Sequence, residues 1–339
     1  MIGWLKNLNN ASRLISINEA SRISGISAKA LEKDWWVTLT LKLVFNTPNA
    51  KHFAFKGGTS LSKGWQLINR FSEDIDISLS SEAMGIDYVD APSKTFVEQL
   101  RRAGCSFTSN ELLESLKEEF KNIQVPENLY SIEAKPVRPD MPDTDPQTLY
   151  VNYVSLFGPN PYLPDRVKIE FSVRSLKDPS AKRNMNSLLF THFPNDNYLE
   201  QDYEILTILP QRTLIEKMLL LHEEYNREEF DKMRTERMSR HYYDLYQLSK
   251  QDFTHSTLTD NVFIGDIIEH RINYSRLKRF DYNTLKRGSL NLIPSSDILE
   301  ALRKDYEIMR AEMIYGEPPS FEEIIIEVQG LQMIINKIN

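Results

Sequence analysis

Cysteine is almost missing from this chain of 339 residues: Cys105 stands alone, which excludes a disulfide framework within the chain and any zinc site built on cysteine. The six histidines (His52, His192, His222, His241, His255 and His270) include no HExxH and no other close pair at ligand spacing. A metal bound here must therefore be held by oxygen. No apolar run approaches the roughly 20 residues that a bilayer span requires, and the opening MIGWLKNLNNASRL has no signal-peptide core. The expectation is a cytoplasmic protein with no membrane partner. Positive charge is also in deficit. A net charge of −7 and a pI near 5.6 argue against coating of nucleic acid by the whole surface. Internal repeats and low-complexity tracts are absent.

The composition that remains, 41% hydrophobic and 26% charged, is that of a soluble globular protein. Its length suits two domains, or one domain with a large extension. From Ala30 through Leu39 to Val44 the apolar residues recur at helical spacing, with Gly25 as an early break, which predicts two N-terminal helices. HFAF at His52–Phe55 reads as a strand that ends at a glycine pair, LSKGWQLINR as a helix, and DIDISLS as a strand. Residues 84–138 are mostly helical in pattern, ELLESLKEEF most clearly, and PVRPDMPDTDPQ is an acidic, proline-rich surface loop. TLYVNYVSLF, VKIEFSV and YEILTIL read as three further strands. After Pro210 long helices take over, QRTLIEKMLLLHEEY and then EEFDKMRTERMSRHYYDLYQLSK, with Thr213 and Glu216 at capping-box spacing. The boundary separates residues 1–209, a mixed α/β core with N-terminal helices, from residues 210–339, a helical C-terminal domain.

Chemistry concentrates in KGGTSLSKGWQLINRFSEDIDISLS, Lys56–Ser80. Gly57 and Gly58 allow a sharp turn with no Cβ in the way. A helix opening at about Ser60 aims its unpaired N–H groups at an anion, as a triphosphate requires. Asp74 and Asp76 alternate with Ile75 and Ile77 in a strand, so both carboxylates share one face. VKIEFSV adds Glu170 on the face opposite Val167, Ile169, Phe171 and Val173. If the two strands are adjacent, three acids converge. That donor set suits Mg²⁺ and two-metal transfer of a nucleotidyl group. An isolated Asp-x-Asp is more often a solvated strand end and an isolated GG usually only a turn, so the signal lies in their conjunction. Strand, GGTS, helix and a DID strand together resemble the characteristic element of nucleotidyltransferases similar to DNA polymerase beta.

KGGTSLSKGW and RFSEDIDISL, preceded by ALEKDWWVTLTL and followed by KIEFSV, IEKMLLL and RHYYDLYQL, resemble the AbiEii/AbiGii toxin family of nucleotidyltransferases over roughly residues 15–250. The resemblance implies an α/β (α+β) fold with a DNA polymerase beta-like core and mixed sheet. It implies transfer of NMP from an NTP, with two Mg²⁺ ions, to an RNA acceptor, above all the 3′ end of tRNA. It also implies a cognate antitoxin encoded nearby, as in abortive-infection and toxin–antitoxin systems. The family's glycine motif falls on Gly57, Gly58, Thr59 and Ser60, and its metal-binding acids on Asp74 and Asp76. Its lysine falls on Lys217 and its later aspartate on Asp244, while Glu170 matches the third acid by position in the fold. The gap between GGT and Asp74 is longer than in the wider superfamily and leaves open which of Thr59 and Ser60 touches phosphate. Transfer to a protein or small molecule, and a catalytically silent nucleotide-binding module, stay open as other readings.

Each site residue also has an ordinary explanation. Lys217 on an apolar helix resembles a snorkelling rim lysine, and Asp244 is placed to pair with Arg240 one turn back. The family match assigns Lys217 to the triphosphate, and among Tyr242, Tyr243, Leu245 and Tyr246 Asp244 is expected on a semi-buried face, where it would orient Lys217 or a substrate group. His241 beside tyrosines is expected to be a packing residue, and Lys33, Asp34 and Trp36 to brace the core. The basic, aromatic stretch His270–Arg287, with Arg271, Arg276, Lys278, Arg279, Lys286 and Arg287, reads equally as a nucleic-acid contact and as a solvated helix.

Overall fold

The structure, a computed structural model, describes residues 2–138, 140–141, 143–176, 178–227, 233–277 and 280–337. The chain forms two compact units, Met1–Trp65 with Phe71–Val89 and Ser93–Ile208, and Gln66–Arg70 with Asp90–Pro92 and Leu209–Asn339. The first is built on a seven-stranded sheet of β1 (Phe53–Lys56), β2 (Ile75–Leu79), β3 (Tyr130–Ala134), β4 (Gln147–Tyr153), β5 (Arg166–Ser172), β6 (Ser180–Met185) and β7 (Tyr203–Ile208), in the order β3-β4-β5-β2-β1-β7-β6. The sheet is mixed: β2/β5 and β1/β7 are parallel, and the other neighbours are antiparallel. Parallel pairing at the centre buries Ile75, Ile77, Ile169 and Phe171, and central strands covered on a face need such a continuous apolar set.

Helices α1 (Gly3–Asn7), α2 (Asn10–Ser24) and α3 (Ala28–Val44) precede the sheet, and α2 ends at Gly25 as the sequence indicates. Nearly every residue of α3 is buried, the state of a helix enclosed on all sides. It lies against β5, and its Trp36 stacks on Tyr153 of β4 at 5.0 Å. A short α4 (Gly57–Thr59) continues into a π-turn over Ser60–Gly64. Helices α5 (Lys94–Phe107), α6 (Leu113–Asn122) and α7 (Leu188–His192) complete this unit.

Three sequence readings change here. LSKGWQLINR is helical only to Gly64. There Arg183 Nε donates to the Gly64 carbonyl (2.8 Å), Trp65 Nε1 donates to the Ile208 carbonyl (2.9 Å), and Gln66 turns to φ +55°. Residues 130–134, read as helix, are edge strand β3, and the polar SAKRNM was not read as a strand at all. Both are edge strands with alternating exposure, where polar residues are tolerated and hydrophobic periodicity fades. The acidic loop is anchored at its end, since the Asp145 carboxylate accepts from the Val173 N–H (2.9 Å) and pairs with Arg174 (2.5 Å).

The second unit is helical: α8 (Pro210–Tyr225), α9 (Ser239–Ser249), α10 (Phe253–Thr259), α11 (Asn261–Ser275), α12 (Ser296–Glu312) and α13 (Phe321–Asn336). Two more readings change. Helix α8 opens at Pro210 in the first position, favoured because proline has no N–H to leave unpaired. No Thr213–Glu216 box forms: the buried Thr213 hydroxyl makes no hydrogen bond, and Glu216 pairs with Arg212 (2.8 Å). Of the helix expected from Glu228, residues 228–232 lie outside the described residues, residues 233–238 are not helical, and α9 opens at Ser239. Its start is fixed from α12, where the Asp305 carboxylate accepts the N–H groups of Arg237 (2.6 Å) and Ser239 (2.9 Å). No described helix is long and apolar enough to cross a membrane.

One close approach within the sheet unit is testable. A Cβ on Gly104 of α5 would overlap the Val173 side chain just beyond β5. Gly104→Val is expected to lower stability by about 1–3 kcal/mol through overpacking, seen in urea unfolding as a lower midpoint with an unchanged slope.

Candidate active site

In the parallel pair β2/β5, Ile75 lies beside Ile169 and Asp76 beside Glu170. Register partners share a face, so Asp76 and Glu170 are lateral neighbours on the face opposite the buried isoleucines. Continuing the register by one residue sets Asp74, immediately before β2, alongside Lys168. Alternation along β5 brings Lys168 and Glu170 to the same face, where they form an ion pair of 2.8 Å. On the other side of Asp76 its register partner is Lys56 of β1, whose Nζ donates to Ser175 Oγ (2.6 Å). The three predicted acids thus share one sheet face with two lysines. Burial pulls the Lys168 ammonium down, but Glu170, Asp74 and Asp76 push it up by more, so it is held above its ordinary value.

The glycine turn is fitted to one of these acids. Gly57 has φ +78°, and a Cβ there would overlap the Asp76 carboxylate. Glycine is required on both counts. The neighbouring hydroxyls are turned inward: Thr59 Oγ1 bonds the Asp74 carbonyl and shares a 2.8 Å contact with Ser72 Oγ, while Ser60 Oγ donates to the Gly57 carbonyl at 2.8 Å. Thr59 and Ser60 are both buried. The Thr59 side chain ties the loop to the segment leading into β2, and Ser60 closes the turn on itself.

Two adjacent residues of α3 secure the loop and the strand. Lys33 pairs with Glu73, next to Asp74, and donates to the Pro164 carbonyl (2.8 Å). Asp34 pairs with Lys63 of the π-turn (2.5 Å) and accepts the Leu188 N–H (2.7 Å). With Trp36 on Tyr153, this is the bracing role read from KDWW.

The other predicted residues belong to the helical unit. Asp244 of α9, fully buried, accepts from Arg70 through Nε (2.7 Å) and a terminal nitrogen (2.8 Å), and pairs with Lys217 of α8 at 2.8 Å. Asp244 is therefore held by Arg70 and Lys217, where helical spacing had suggested Arg240. Although burial alone raises it, Arg70 and then Lys217 hold the Asp244 carboxyl well below the usual carboxylate range. Burial lowers the Lys217 ammonium against the pull of Asp244, and Arg70 and Arg240 lower it further. His241 Nδ1 lies 3.4 Å from Lys217 Nζ; burial first, then Lys217 and Arg240, hold its imidazole well below its ordinary value.

Two participants escaped the sequence reading. Lys168 was legible in principle, two residues before Glu170 in an alternating strand. Arg70 was not, because nothing local marks it and its partner is 174 positions away. The basic stretch is used within the fold: Arg271 pairs with Glu223 (2.9 Å), Arg276 donates to the Pro92 carbonyl (2.6 Å), and Arg287 to the Ile335 carbonyl (2.9 Å). Phe280 and Tyr274 are buried, and Lys278 and Arg279 lie outside the described residues.

Among the described residues, no group of three or more His, Cys, Asp or Glu side chains is already drawn together as a metal cluster. The fit to a hard divalent ion lies in donor chemistry and register: three acids on one face, with the Lys168 ammonium as the cation beside them.

The family model described as nucleotidyl transferase AbiEii toxin, type IV TA system, matches residues 43–327 of the chain. No curated protein and no solved structure matches it.

Gly57→Ala is expected to cost about 1–3 kcal/mol in stability and, by displacing the Asp76 carboxylate, to reduce nucleotide transfer about 100-fold; thermal unfolding and labelled-nucleotide transfer check the two parts. Asp244→Asn, which leaves Arg70 buried beside a neutral amide, is expected to destabilise by about 3–5 kcal/mol. Because the folded-state carboxyl is depressed, the Asp244 contribution is complete above the unfolded value of about 3.9. It is lost as the pH falls from there through the lower folded value. Unfolding midpoints of wild type and Asp244→Asn should therefore differ most at neutral pH and converge in strong acid.

Proposed function

Because the chain belongs to the AbiEii nucleotidyltransferase toxin family of type IV toxin–antitoxin systems, we propose that it transfers a nucleoside monophosphate from an NTP to the 3′ end of tRNA in a Mg²⁺-dependent reaction. Family membership implies an antitoxin partner. The observation that carries the reading is the β2/β5 register, which sets Asp76 beside Glu170, together with a glycine turn that only a residue without Cβ can bring against Asp76. Asp74, Asp76 and Glu170 would hold the metal. When bound, two divalent ions lower the pKa of the acceptor hydroxyl and neutralise the leaving pyrophosphate.

The chain's own groups supply the rest. The first N–H groups of the helical stretch 57–64, on Gly57, Gly58 and Thr59, are not satisfied by carbonyls within that stretch and suit phosphate oxygens. The Thr59 and Ser60 hydroxyls shape this loop instead of reaching out. Lys217 keeps the triphosphate contact that the family assigns, with Asp244 and Arg70 orienting its ammonium. A lysine and an arginine on one carboxylate leave a net positive charge, appropriate to an anionic substrate. The tRNA acceptor and the type of transfer rest on the family. The basic stretch 270–287 adds no support, because its described arginines hold protein groups.

The test incubates purified protein with total bacterial tRNA, Mg²⁺ and each labelled NTP in turn, beside an Asp74→Ala, Asp76→Ala double variant. Label on tRNA that disappears in the variant is the expected result and identifies the base. Label on protein or a small molecule would move the acceptor. Absence of label with every NTP, despite measurable nucleotide binding, would leave a silent binding module.

A further inference from the structure

We propose that Lys168 is a tethered counter-ion of the acidic face, which weakens its binding of free divalent metal and passes to the phosphates when metal arrives with a nucleotide. The inference rests on the metal site proposed above and adds to it the order of loading: metal and nucleotide together, not metal first.

Four charged residues form a patch: Asp76 of β2 lies beside Glu170 of β5, and continuing that register by one residue sets Asp74, just before β2, alongside Lys168. The Lys168–Glu170 contact is 2.8 Å, so the ammonium occupies one of the oxygen donors that a divalent ion would need. It does so from two residues away on the same strand and face, a separation that the chain fixes. A tethered cation acts at high effective concentration, so free metal must displace it to use Glu170 fully.

Lys168 can let go. Its side chain is 34% exposed, against 2% and 5% for Lys33 and Lys63, which hold protein carboxylates nearby. A half-exposed ammonium on a flexible stem exchanges partners at little cost. What displaces it is a cation that brings its own anion. A metal–nucleotide complex supplies divalent charge for Glu170 and phosphate oxygens for the released ammonium. A bare ion supplies only the first, leaving Lys168 facing a like charge. Lys56, the other lysine of this face, donates to Ser175 Oγ.

Mn²⁺ binding, followed by the EPR signal of the free ion, tests this on wild type, Lys168→Met, Lys168→Arg and Asp76→Asn, each with and without a non-hydrolysable NTP analogue. Without nucleotide, Lys168→Met is expected to bind Mn²⁺ roughly tenfold more tightly than wild type, the scale of one unit-charge interaction across a partly solvated site. With the analogue the gap should close or reverse, and Lys168→Arg, which keeps the positive charge, should retain the weak Mn²⁺ binding of wild type without nucleotide. Equal Mn²⁺ affinity of wild type and Lys168→Met without nucleotide overturns the inference while leaving the metal site standing, provided that Asp76→Asn weakens binding. If Asp76→Asn binds as wild type does, the metal site itself fails, and the inference with it.

Discussion

Like charges about 5 Å apart repel by about 3 kcal/mol at an effective dielectric near 20, and the sheet unit places three carboxylates on one face where that repulsion must be contained. Much of the surrounding structure can be read as the means. Parallel pairing of β2 with β5 fixes Asp76 and Glu170 side by side. The isoleucines between the acids lock the register, because a slip by one residue would carry Ile75 and Ile77 out of the core. Lys168 pairs with Glu170, and Lys33 and Asp34 tie down Glu73 and the turn carrying Lys63. The acids stay together because the backbone under them has no freedom to separate them.

The helical unit handles charge differently. Asp244 is wholly buried, and its carboxylate is met by an arginine fork and a lysine. Such a pair contributes modestly to net stability once desolvation is counted. Its value is orientation: with both oxygens engaged, Asp244 leaves the Lys217 ammonium a single place to be. His241, held neutral by burial and by the neighbouring cations, adds no charge to the array. It can accept from Lys217 or pack against it, the packing role that its sequence neighbours indicated.

The sequence made the sheet's centre legible because the centre is where pattern and burial coincide. VKIEFSV and the DIDI of DIDISLS alternate between core and site, so one period placed both the apolar residues and the acids. The sheet edges were opaque for the converse reason. In SAKRNM, one residue of six is buried, and with so few apolar residues on its inward face the sequence carries no hydrophobic period of two. The helix read through LSKGWQLINR stops at Gly64, held by Arg183 and by Trp65 reaching Ile208, partners more than a hundred residues away that local propensity cannot register. Arg70 is the same case within the site. The basic stretch misled in the other direction, because composition shows charge but not the carboxylates and carbonyls that take it up.

The cations divide by what they must do over time. Arg70, Arg174 and Arg271 grip protein carboxylates with forked geometry, suited to partners that never change, since a planar guanidinium fixes two bonds at once. A lysine stands where the proposed negative ligand would arrive and leave, at 168, with Lys56 beside the acids on the same face. Residue type alone does not settle the matter, because Lys33 and Lys63 are lysines and are locked. Exposure separates them: a lysine sealed among protein groups has no second partner to turn to, whereas Lys168 borders water. A site that must hold three carboxylates together when empty, and accept a highly charged nucleotide when filled, needs a cation that serves both states. Lys168, paired with Glu170 and partly exposed, meets that need.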